Sequence, residues 1–151
     1  MNASTGTSKR ALLGASLIVT GFIVAAPLAR ADDTVVVTLA DKGLDSMRMD
    51  LSTKQIRAGK ETFNVINTSQ NNLVHEFVVA KSDKPIEALL YKEDENELAE
   101  DALAVMNEID DIEPGKSGTL TVNLEPGSYV LFCNKTGHFK AGMVNQLTVI
   151  K

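Results

Sequence analysis

Residues 133–143, Cys-Asn-Lys-Thr-Gly-His-Phe-Lys-Ala-Gly-Met, hold the chain's only cysteine, one of its two histidines and a methionine, with four residues in each gap. A thiolate, an imidazole nitrogen and a thioether so close together form a soft set of metal donors. The set lacks one imidazole, and His75 is the only other histidine in the chain. Any fold that completes the site must bring position 75 against this loop. That requirement joins two segments far apart in sequence and constrains the architecture more than any other stretch.

The segments around both positions read as strands. From Leu73 to Val79 the period is two, so Leu73, His75, Phe77 and Val79 share one face. A lone histidine on an apolar face is ordinarily a hydrogen-bonded core residue; the missing imidazole of the loop reverses that reading. Thr34–Leu39 is a β-branched opening strand, and Ser46–Ser52 puts Met47, Met49 and Leu51 on one face. That close methionine pair has no His or Cys beside it and reads as core packing. Glu61–Thr68 alternates, as does Thr119–Leu124 with Leu120, Val122 and Leu124 inward. Glu125-Pro126-Gly127 is a turn with Pro before Gly, as type II turns prefer. The return strand sets Tyr129, Leu131 and Cys133 in one row, and Val144–Ile150 is apolar enough for a strand packed on both faces. Seven or so short strands separated by turn signals predict an all-β sandwich.

The period changes between about 85 and 113. Pro85 suits the first position of a helix, and Leu98, Ala102, Val105, Met106 and Ile109 recur at helical spacing. A helical insert is therefore expected at 85–113, with an acidic outer face over 93–113. Such a face is ordinarily solvated; the alternative is a docking patch for a basic partner.

Residues 1–31 have the three parts of a secretory signal: Lys9 and Arg10, the uncharged run Ala11–Ala26, and Ala29-Arg30-Ala31 as a cleavage site. The expected mature domain is 32–151, exported or periplasmic, with no stable membrane insertion after cleavage; the alternative is a retained membrane anchor, for which the sixteen-residue run is short. Loss of residues 1–31 removes Lys9, Arg10 and Arg30 and no acid, which leaves 12 basic against 20 acidic side chains. Nucleic acid is a poor partner for so acidic a surface.

The donor chemistry favours copper. Copper(II) prefers nitrogen and oxygen while copper(I) prefers sulfur, and a mixed set serves both states. Zinc also takes Cys and His, but its catalytic sites leave the fourth position to water, where this chain offers the poor zinc ligand Met. The expected ligands are His75, Cys133 and His138, with Met143 as a long axial contact.

The run 127–143, with His75-Glu76-Phe77 and Asn67 upstream, resembles the cupredoxins, the small blue copper proteins, over about residues 34–151. The two four-residue gaps are similar to those of the rusticyanin and sulfocyanin branch. The resemblance implies a Greek-key sandwich and a type 1 copper centre in a monomeric one-electron carrier, not an enzyme. It also implies that His138 lies near the surface in an apolar patch, where a redox protein partner docks. Lys135 and Lys140 would add positive charge there, opposite to the acidic insert. A protein for copper delivery, sequestration or resistance is the rival reading. One departure stands out. Many members place Asn or Ser after the first histidine, where it braces the cysteine loop; this chain has Glu76.

Overall fold

The alternating segments pair as their apolar faces require. A computed structural model describes residues 1–2 and 34–151; the expected signal, apart from residues 1–2, lies outside the described residues. The strands are β1 (Thr34–Asp41), β2 (Met47–Leu51), β3 (Gln55–Arg57), β4 (Gly59–Asn67), β5 (His75–Lys81), β6 (Tyr91–Lys92), β7 (Glu97–Leu98), β8 (Ala104–Ile112), β9 (Ser117–Leu124), β10 (Gly127–Phe132) and β11 (Val144–Ile150). One sheet has the order β2-β1-β4-β9, a second the order β3-β11-β10-β5-β8, and β6-β7 form a separate hairpin. Most neighbours run antiparallel, but β1–β4 and β11–β3 are parallel. The architecture is a Greek-key β-sandwich.

The core lies between the two sheets. Val35, Val37 and Leu39 of β1 meet Phe63 and Val65 of β4, and Phe77, Val79, Tyr129, Leu131 and Leu147 close it from the second sheet. Burying each such side chain contributes roughly 1.5–3 kcal/mol. Met47 and Met49 are buried in this core, as their alternation predicts. The strand β11 departs from expectation. Leu147 and Val149 are buried, while Thr148 and Ile150 face outward, so it packs on one face only.

The expected helical insert is not helical. A single 3-10 turn, Ile86–Ala88, follows Pro85, and a second spans Glu100–Ala102. The stretch read as the amphipathic helix becomes the hairpin's second strand, that second turn and β8. Strand β5 is buried on both faces, so its open edge needs backbone partners, and β8 supplies them from His75↔Ile112 to Lys81↔Ala104 with two bulges. That pairing overrides the helical periodicity. The supposed apolar helix face is consequently wet, with Val105 37% and Met106 41% exposed. The insert still covers something. Leu89 and Leu98 pack on Val78, Ala80, Val130 and Phe132, sealing the outer face of the second sheet behind the ligand loop.

Candidate metal centre

His75 begins β5, and Cys133 directly follows β10. These two strands are neighbours, with Phe132 opposite Val78. Sheet register thus carries two residues far apart in sequence to one end of the sandwich. Asn67 secures the approach to His75. Its buried amide nitrogen donates to the carbonyls of Leu73 and Ile112 at 2.8 and 2.7 Å, and its oxygen accepts from Ser69 N–H at 2.9 Å. Three of the amide's four hydrogen-bonding positions are used, two on the turn before β5 and one on the end of β8.

The loop is closed by its own backbone. Cys133 N–H donates to Met143 O and Met143 N–H to His138 O, both at 3.0 Å, while His138 N–H bonds Lys135 O at 2.8 Å. Met47 N–H donates to Ala141 O at 2.8 Å, tying the loop to β2. Asn134 links it to the insert, accepting from Leu98 N–H at 2.7 Å and donating to Leu98 O at 3.1 Å. Gly137 N–H adds a bond to Asn96 O at 2.8 Å. Neither asparagine was singled out from sequence. Asn134 lies inside the motif but carries no donor softness to mark it, and Asn96 is one polar residue among many in the insert.

This framework brings His75, Cys133 and His138 together, with one donor atom from each lying within 4.8 Å of the others. The two Nδ1 atoms face each other at 3.1 Å, and Cys133 Sγ lies 3.4 Å from His138 Nδ1. Met143 is fully buried in the same core cluster as Cys133, its backbone hydrogen-bonded to both Cys133 and His138. His75, Cys133 and Met143 have no solvent exposure, and His138 has 7%. That residual edge opens on a shallow groove lined by Leu44, Asn96, Gly137, His138 and Ala141, in keeping with a near-surface histidine.

Electrostatics suit a neutral, soft donor set. Burial, helped by the neighbouring His138 ring, pushes His75 down to about 4, against an opposing pull from Asp41. Burial lowers His138 as well and pushes the Cys133 thiol up to about 12. Around neutral pH both rings are therefore unprotonated at one nitrogen and ready to donate a lone pair. Cys133 must give up its proton to act as a ligand, so metal binding strengthens as pH rises.

Glu76 keeps the brace that its side chain put in question. Its N–H donates to Cys133 Sγ at 3.3 Å, and its carboxylate Oε1 accepts from Asn134 N–H. Burial raises the Glu76 carboxyl, and Lys135 stands 3.6 Å from its other oxygen. Lys135 also pairs with Asp111 at 2.6 Å, and Lys140 pairs with Glu93. The positive charge expected beside His138 is thus engaged by acids of the insert and of β8.

The family model for copper binding proteins of the plastocyanin/azurin family matches residues 35–150. The chain belongs to this family, the cupredoxins. No curated protein matches the sequence at a significant level. Several solved cupredoxins share the fold. Dithionite-reduced auracyanin from Roseiflexus castenholzii is 24% identical with a TM-score of 0.54, over 77% of this chain and 97% of that one. Rusticyanin from Thiobacillus ferrooxidans is 20% identical with a TM-score of 0.56, over 77% of each chain. An azurin of Methylomonas sp. strain J is 20% identical with a TM-score of 0.53, over 80% of this chain and 100% of that one. Copper is the cofactor of this cupredoxin, and the buried pair of imidazoles beside a thiol fits it. The donors are soft, their facing nitrogens lack a fixed hydrogen-bond partner other than one another or the sulfur, and the surroundings are apolar.

Proposed function

We propose that this cupredoxin is an exported one-electron carrier whose copper would be held by His75, Cys133 and His138, with Met143 as the fourth donor. One observation carries the reading. Three of the four donor residues are sealed from solvent, and the fourth, His138, has only one edge at the surface. Copper held by these donors would supply a reversible one-electron couple. The chain's own part is to exclude water, hold the two rings and the thiol in a fixed cage, and leave one aromatic edge at the surface for the electron. A sealed cage offers a substrate no place to bind, which favours a carrier over an enzyme. It also disfavours copper delivery, because release of the ion requires opening the loop bonds that close the cage. Fast electron self-exchange supports the carrier, whereas rapid transfer of copper to a chelating acceptor supports delivery. Among the described residues no helix is long and apolar enough to cross a membrane.

The redox partner would meet the His138 groove, with the acidic insert and β8 beside it steering a basic partner. Asp94, Glu108 and Asp110 are exposed, and no salt bridge engages them among the described residues. Reversing all three to lysine should slow electron transfer to a basic partner by about tenfold or more at low salt, as steering effects of 10 to 1,000 imply. The salt dependence of the rate should flatten with it, while self-exchange changes little. Stopped-flow kinetics across ionic strength checks this. An unchanged rate and salt slope would return the acidic surface to simple solvation.

A further inference from the structure

His75 shows a second, unassigned contact on the side of the ring away from the cage. Its Nδ1 points toward His138 Nδ1, so Nε2 points the other way, and there it is buried with no hydrogen-bond partner. The atom opposite is Asp41 Oδ2, at the end of β1, 3.8 Å away and likewise buried without a partner. Both side chains are completely shielded from solvent. Two unpartnered polar atoms facing each other in a dry site are costly unless they serve one another.

The Asp41 carboxylate is held for that role. Its Oδ1 accepts from Asn71 Nδ2 at 2.5 Å and from Gly43 N–H at 3.4 Å, which leaves Oδ2 turned to the ring. An aspartate carboxyl ionises at about 3.9, so it is an anion at neutral pH, and the two donors on Oδ1 favour that charged form. An imidazole that donates its Nδ1 lone pair to a metal must carry its proton on Nε2. That N–H is the group a buried carboxylate would accept.

We propose that Asp41 is a positioning residue of the copper centre: its carboxylate holds His75 in the Nε2–H tautomer and, as a buried anion behind the ring, favours Cu(II) over Cu(I). The proposal rests on His75 being a copper ligand. A carboxylate behind a metal-bound histidine raises ligand basicity and fixes ring orientation. The effect acts through His75, since Asp41 is not itself a member of the donor cluster. Sequence gives no sign of it. Asp41 ends an apolar strand just before a turn, where an acid is unremarkable.

The test is the reduction potential of the copper-loaded Asp41→Asn protein, which keeps the side-chain shape and removes the charge. The Cu(II)/Cu(I) affinity ratio should fall about tenfold, which for one electron is a rise of about 59 mV. Because a buried substitution can impair folding, the parent protein provides a second measurement. In its Cu(I) form, nitrogen-edited NMR should show a downfield, slowly exchanging Nε2–H on His75. A folded Asp41→Asn protein with the parent's potential overturns the proposal, as does a His75 whose Nε2–H is absent or exchanges freely. A parent that binds copper without a sulfur-to-copper band sinks the ligand assignment, and this proposal with it. A blue parent with an unmoved variant sinks this proposal alone.

Discussion

Cys133→Ser leaves a folded sandwich that no longer holds copper tightly. Serine is close in size, and its hydroxyl can still accept the Glu76 N–H that now reaches Sγ at 3.3 Å. The structural cost is that of a buried hydroxyl with one partner, about 1 kcal/mol. The chemical cost is far larger. A hydroxyl does not ionise near neutral pH and offers copper(I) no soft donor, so affinity should drop on the order of a thousandfold. Calorimetric copper titration together with a thermal melt separates the two effects. A Cys133→Ser protein that binds copper as tightly as the parent would remove Cys133 from the ligand set.

Gly142→Ala should be the most damaging single methyl group in the loop. Gly142 sits at φ +107°, a region that side-chain-bearing residues rarely adopt. A Cβ there would lie 2.5 Å from the carbonyl oxygen of Met47, which is backbone and cannot swing aside. Relief requires the loop and β2 to separate, and the Met47 N–H to Ala141 O bond lies in the same contact. Backbone strain and overpacking of this kind each cost about 1–3 kcal/mol, so a loss of about 3 kcal/mol is expected. The displaced residue is next to Met143, so the copper spectrum should change as well. Chemical denaturation and the visible spectrum read the two effects. Parental stability with a parental spectrum would mean that the loop does not pack on β2 as described.

The meeting of His75, Cys133 and His138 was legible in the sequence because these residue types are rare in it. One cysteine, two histidines and a methionine at fixed gaps left a single way to complete the donor set, and strand period alone put His75 and Phe77 on the inner face. The insert was misread for the opposite reason. Apolar residues at 98, 102, 105, 106 and 109 match a helix locally, but the open edge of β5 is a nonlocal demand that no window of sequence contains. The one-sided packing of β11 has a similar origin, because its second face has no covering layer near Thr148 and Ile150. Contacts behind the donors, Asp41 on His75 and Asn134 on Leu98, were invisible because polar residues at turns carry no periodic signal. Glu76 shows the converse. A substitution that broke the family's pattern in sequence preserves its brace in space, since a carboxylate oxygen accepts the Asn134 N–H as an amide oxygen would.

In the proposed copper centre a cysteine sulfur is bound directly to the metal. One visible absorption titration of the metal-free protein with copper(II) tests it. The expected result is an intense sulfur-to-copper charge-transfer band that grows linearly and stops at one copper per chain. Copper bound without that band, or zinc taken in preference to copper, would contradict a type 1 copper centre.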